Sequence, residues 1–212
     1  MDNRFNKWNK WLDVIYLEIR SLSVNKNIFW EVQNIIKNNP KIQKPSSFYE
    51  FLGNTYVISA LMGIRRQIKS DEDSISFAKL LKEICDTPEI LSRNRFVALY
   101  KGSAVEHLAN KHFDKFAGKV GSHVDPNLIR FKLENLKVKA RKCEKYADQR
   151  VAHFDKGVIK NIPTFKDLDD CIDFLEELMK MFYRLFRAIS LTSMLPVYQY
   201  DWKAIFREPW LL

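Results

Sequence analysis

At 212 residues, with 46% hydrophobic content and only 6 Gly and 7 Pro, the chain can bury a sizeable core and is too apolar for extended disorder. A balance of 35 basic against 26 acidic side chains gives +9, which suits a polyanionic partner and equally suits a protein with a solvated basic face. Cys85, Cys143 and Cys171 are too far apart for a zinc knuckle or a disulfide framework, no apolar run nears the roughly 20 residues of a membrane span, and the N-terminal stretch lacks an apolar signal core, so a cytoplasmic protein without membrane contact is expected.

Helical periodicity runs through nearly the whole chain. Phe5, Trp8, Leu12, Ile15, Ile19 and Leu22 form one apolar stripe on a first helix, and a short second helix is expected from about Asn27 to Asn38, broken by "NNPKIQKPSS". A third starts near Ser47 and ends at the polar link "KSDED", after which Ser74 can cap "ISFAKLLKEI". Thr87-Pro88 and Asp125-Pro126 each read as an N-cap followed by proline, and residues 88–124 between them form a helical hairpin interrupted by Gly102, Gly118 and Gly121.

From Asp125 the pattern is more regular. Ile129, Leu133, Leu136, Ala140, Cys143, Ala147, Arg150 and Phe154 alternate steps of four and three, predicting one helix that Gly157 stops. Thr164 caps a last long helix carrying Phe165, Leu168, Ile172, Leu175, Met179, Phe182, Phe186 and Ile189. The aromatic tail, about 195–212, is expected to dock on the body and so cover Trp202, Phe206 and Trp210. With no period-two segment and no internal repeat, the expected architecture is one all-α domain over 1–212, an antiparallel up-and-down bundle whose longest helices span about 126–156 and 165–190.

The chemistry concentrates in "EKYADQRVAHFDKG". On a regular helix Arg150 and His153 lie about 60° apart and Gln149 touches His153, while Asp148 points away from Arg150. A guanidinium next to an imidazole favours its neutral, basic form, which suits proton abstraction; a satisfied surface pair explains the same residues. Residues 128–160 hold ten basic side chains (Arg130, Lys132, Lys137, Lys139, Arg141, Lys142, Lys145, Arg150, Lys156 and Lys160) against Glu134, Glu144, Asp148 and Asp155. That +6 would draw a phosphate backbone, or else marks a solvated helix face. Ala140, Cys143 and Ala147 are small enough to admit a close second helix, from a partner subunit or from the same chain. The four histidines do not cluster, so no metal or other cofactor is expected: His107 and His112 are five apart and His123 sits in a Gly-containing loop.

"ADQRVAHFDK", the long helix before it, the capped helix after it, and the upstream "ALMGIRRQIKSDEDSISFAKLLKEI" together resemble the HEPN superfamily, most closely its AbiU-like abortive-infection branch. The likeness covers roughly residues 48–86 and 125–190. It implies a HEPN-type bundle with 88–124 as an extra hairpin, and a metal-independent endoribonuclease of the toxin or phage-defence kind. The partners it implies are RNA, a second copy docked through the 126–156 helix to make a composite cleft, and an antitoxin or other defence protein. His153 falls on the catalytic histidine and Asp148 on the polar residue after the motif arginine, but the arginine's own position is Ala147. In a complete motif the resemblance implies that His153 removes a ribose 2′-hydroxyl proton and an arginine at 147 stabilises the phosphorane. Arg150, Lys145, Arg141 and Lys156 would hold the RNA, and the products would be a 2′,3′-cyclic phosphate and a 5′-hydroxyl. With alanine at 147 two readings stay open: an inactive form of such a nuclease, or a non-catalytic helical module that binds RNA or protein. Some HEPN toxins carry a modifiable tyrosine two residues after the histidine; here that residue is Asp155.

Overall fold

The structure, a computed structural model, describes residues 3–153, 155–156 and 161–208. Among them are seven α-helices and no strand: α1 (Asn3–Asn38), α2 (Ser47–Ile68), α3 (Phe77–Asp86), α4 (Arg93–Ala98), α5 (Ala109–Ala117), α6 (Pro126–Tyr146) and α7 (Phe165–Arg187). The all-α antiparallel bundle expected from the sequence is what forms. Four long helices alternate in direction. Ser23, Lys26 and Trp30 of α1 meet Glu176, Asp173 and Asp169 of α7 at 3.2, 2.6 and 2.8 Å, so the two chains of partners run in opposite senses. Lys142 and Cys143 of α6 likewise meet Asp167 and Cys171 at the start of α7.

Several boundaries differ from the sequence reading. No second helix begins near Asn27; α1 is a single 36-residue helix, the longest of those described. The polar interruption after Leu22 is a seam between helices: Ser23 and Lys26 donate to α7, and Asn25 donates to Ser59 of α2 at 3.2 Å. With no Gly or Pro there, nothing breaks the backbone. The cap of α3 is Ser76, not Ser74. Its hydroxyl accepts from the Lys79 N–H at 3.0 Å, whereas the Ser74 hydroxyl donates to the Asp71 carbonyl in the preceding turn. Starting at Phe77 buries Phe77, Leu80, Leu81 and Ile84 on one face and leaves Ile75 outside. Thr87 stands before proline at the N-cap position expected, but only a single 3-10 turn, Pro88–Ile90, follows, and the Thr87 side chain does not cap it. Its hydroxyl donates to the Glu83 carbonyl, and its N–H, donating to the same oxygen, closes α3. Asp125 does cap α6, accepting from the Asn127 N–H at 2.9 Å, and Thr164 with Asp167 forms a capping box on α7.

The 88–124 insertion is built around Arg93. Its guanidinium donates to the carbonyls of Gly121 (2.8 Å) and Gly118 (2.7 Å), pairs with Asp114 (2.8 Å) and lies over the Phe113 ring. Gly118 has φ 69°, and a Cβ at Gly121 would collide with the Ala117 carbonyl, so both glycines are required where the arginine draws the loop in. Arg93→Ala is expected to cost about 2–4 kcal/mol, because it strands two carbonyls and a carboxylate at once. Thermal melting together with proteolysis confined to the 99–122 segment would verify it.

The tail docks only in part. Lys203 pairs with Glu31 at 2.6 Å, and Phe206 joins Val32, Ile36 and Phe48 around an apolar cleft while staying about one-third exposed. Trp202 is half-buried, and Trp210 lies outside the described residues.

Candidate functional site

The expected helix to Gly157 does not continue regularly. After Tyr146 the backbone widens into a π-helical turn, Ala147–Ala152, and His153 leaves it with extended angles (φ −137°, ψ 162°). Phe154, Gly157 and Lys160 lie outside the described residues. Because His153 is no longer helical, the i,i+4 contact with Gln149 and the 60° relation to Arg150 do not follow. Single π turns recur at functional sites because they turn side chains out of register. Here the turn holds Ala147 inward, fully buried, and leaves His153 exposed just beyond it.

Asp148 fixes this turn to α2. Its carboxylate pairs with the Arg65 guanidinium and with Lys69 at 3.4 Å, and Lys69 reaches Glu144 at 3.6 Å. Partial burial pulls the Asp148 carboxyl up, but Arg65 and Lys69 outweigh it and hold it below the usual carboxylate range. The unfolded carboxyl titrates near pH ~3.9, so this pair contributes stability above that pH and loses it as pH falls through the lower folded value. Asp148 is 37% exposed, so solvent screening limits the effect to under about 1 kcal/mol. Asp148→Asn should therefore lower stability at pH 7 by up to about 1 kcal/mol and flatten the acid limb of a stability–pH profile, the two profiles converging below about pH 4.

Arg150 is turned onto its own backbone, donating to the carbonyls of Gln149 (3.4 Å) and Asp155, where it caps the helix end. The other basic side chains divide. Lys142 pairs with Asp167 at 2.7 Å, and this contact, with the Thr164 N–H and hydroxyl, holds the Asp167 carboxyl down to about 2. Lys137 pairs with Glu134 at 2.9 Å, and Lys139 lies over the Phe174 ring. Arg141, Lys145 and Lys156 are exposed, and none has an ion-pair partner among the described residues. Arg141 and Lys145 share the outer face of α6 with Phe131 and Val138, which are 60% and 61% exposed.

Ala140, Cys143 and Ala147 face inward. All three are fully buried in the chain's own core, and the Cys143 sulfur lies 4.0 Å from that of Cys171 on α7. The hydrogen bond to Cys143, together with burial, pushes the Cys171 thiol up. In this chain the small stripe is filled by its own helices.

Two of the other three histidines make hydrogen bonds within the fold, and His107 is exposed. His112 Nδ1 bonds the Tyr100 hydroxyl at 2.8 Å, and His123 Nδ1 lies 2.9 Å from the Val124 carbonyl. No three His, Cys, Asp or Glu side chains converge on a metal-sized site among the described residues. No described helix is long and apolar enough to cross a membrane. Sequence reasoning missed Arg65 and Lys69 as Asp148's partners. The signal was present: two cations four residues apart on one helix face, "RRQIK", inside a segment already singled out. Compared with family models, with curated proteins and with solved structures, the chain shows no significant match to any of them.

Proposed function

We propose that the chain is a HEPN-like RNA-binding protein whose endoribonuclease site is incomplete. One observation carries the reading: position 147 is a fully buried alanine while His153, six residues on, is exposed. A histidine on the surface can meet a ribose hydroxyl, but no cation from position 147 stands beside it to stabilise the phosphorane. What remains suited to RNA is the outer face of α6, where Arg141 and Lys145 offer charge and Phe131 offers a ring. Lys156 extends the charge past the π turn, and Arg150 contributes field more than contact, since its Nη1 already serves two carbonyls. A homodimer belongs to this reading only through that outer face, with the RNA neutralising two basic helices brought together.

The test is fluorescence anisotropy with a labelled single-stranded RNA across a salt series. Arg141→Gln/Lys145→Gln is expected to weaken binding on the order of tenfold or more and to lower the slope of log K against log salt by about 1.4, at ~0.7 per phosphate contact. Unchanged affinity and slope would remove α6 from the interface.

A further inference from the structure

A groove of about 470 Å³ opens where α5, α6 and α7 meet. Its α6 residues, Leu128 and Lys132, lie more than twenty residues before His153, roughly 30 Å at 1.5 Å per residue, so the groove is separate from the π turn. Four cations line it: Lys115 from α5, Lys132 from α6, and Lys180 and Arg184 from α7. No acidic side chain is among the lining residues. Lys180 is held by Glu176 at 2.7 Å. Arg184 spends its Nε and one Nη2 proton on the Ser190 hydroxyl, at 3.1 and 2.6 Å, which leaves three N–H donors. Lys115 and Lys132 have no ion-pair partner among the described residues.

The floor is apolar, made by Phe116, Leu128, Met181 and Leu191. Converging cations in a concave, low-dielectric site repel one another and are relieved by an anion carrying more than one charge. The same cations act on His112: burial, then Arg184, Lys115 and Lys111, push its imidazole below the ordinary range. A polyvalent anion alone would leave the floor uncovered, and the groove's volume is that of a small-molecule site, about 300–1,000 Å³. No side-chain amide, hydroxyl or carboxylate lines it, so the lining offers cationic donors but no side-chain acceptor for the amino group of a nucleobase.

We propose that this groove binds a phosphate monoester carrying an apolar alkyl or aryl body, the phosphate held by Lys115, Lys132 and Arg184 and the body lying on Phe116, Leu128 and Met181. The inference rests on these residues and not on the RNA reading above. It is tested by calorimetric titration of the full chain with octyl phosphate below its micelle concentration, alongside inorganic phosphate and adenosine monophosphate. Octyl phosphate should bind saturably and at least tenfold tighter than either, and Lys132→Glu should weaken it at least tenfold. The His112 imidazole resonance should titrate at higher pH when the ligand is bound, because the anion offsets the neighbouring cations. If Lys132→Glu does not fold, exposed Lys115→Glu serves in its place. Equal binding of inorganic phosphate, tighter binding of adenosine monophosphate, indifference to the charge reversal, or no saturable binding would each overturn the proposal. So would displacement of octyl phosphate by an RNA oligonucleotide that binds the groove itself.

Discussion

Cys143→Glu is expected to leave no cooperatively folded protein. Cys143 is fully buried, its sulfur is 4.0 Å from Cys171, and the helix it sits on packs against both α2 and α7. A carboxylate there has no cation within the core. It must either stay ionised at a cost of several kcal/mol or bind a proton and still lack its hydrogen bonds. The three added side-chain atoms bring overpacking of about 1–3 kcal/mol on top. Domains are stable by only about 5–15 kcal/mol, so the sum consumes most or all of it. Loss of the far-UV melting transition is the expected result. A folded, soluble variant with an unchanged melt would mean that Cys143 faces outward, and would return the small stripe to a subunit interface.

Ala147→Arg is the second large effect. A guanidinium on a three-carbon stem must leave a fully buried position or force the π turn open, and the nearest anchoring charges at the end of α2, Arg65 and Lys69, are of the same sign. Overpacking and an unpaired buried charge together should cost about 3 kcal/mol or more, read as a melting-temperature loss of several degrees. If the arginine escapes to the surface beside His153, it completes the motif. Melting and RNA cleavage must therefore be measured on the same sample. A variant as stable as its parent that cuts RNA, and loses cutting with His153→Ala, would show the inward placement of position 147 to be wrong.

The helical periodicity made the frame legible. Ile129, Leu133, Leu136, Ala140, Cys143 and Ala147 share one stripe in the sequence, and all six are buried; the Thr164 cap is legible from its residue type and its place just before the last apolar stripe. Three things were not legible. Ser23, Asn25 and Lys26 looked like a break in α1 because interhelical hydrogen bonds and solvent exposure leave the same polar signature in a sequence. The π turn was hidden because its residues fit a regular helix, and only the tie from Asp148 to Arg65 and Lys69 holds the wider turn. Which neighbour the small stripe meets is a question of tertiary packing, and spacing along one helix cannot answer it. The site shared that fate. Asp148, Arg150 and His153 were located by sequence, but their partners came from α2 and from the backbone.

On the reading proposed above, this chain holds RNA without cutting it. The most direct measurement incubates the unmodified chain, in excess, with an end-labelled single-stranded RNA and follows the RNA on a denaturing gel, with a native gel of the same mixture to register binding. The account expects a shifted complex whose RNA is recovered at full length. Fragments ending in a 2′,3′-cyclic phosphate, formed with or without chelator and absent with His153→Ala, would contradict it.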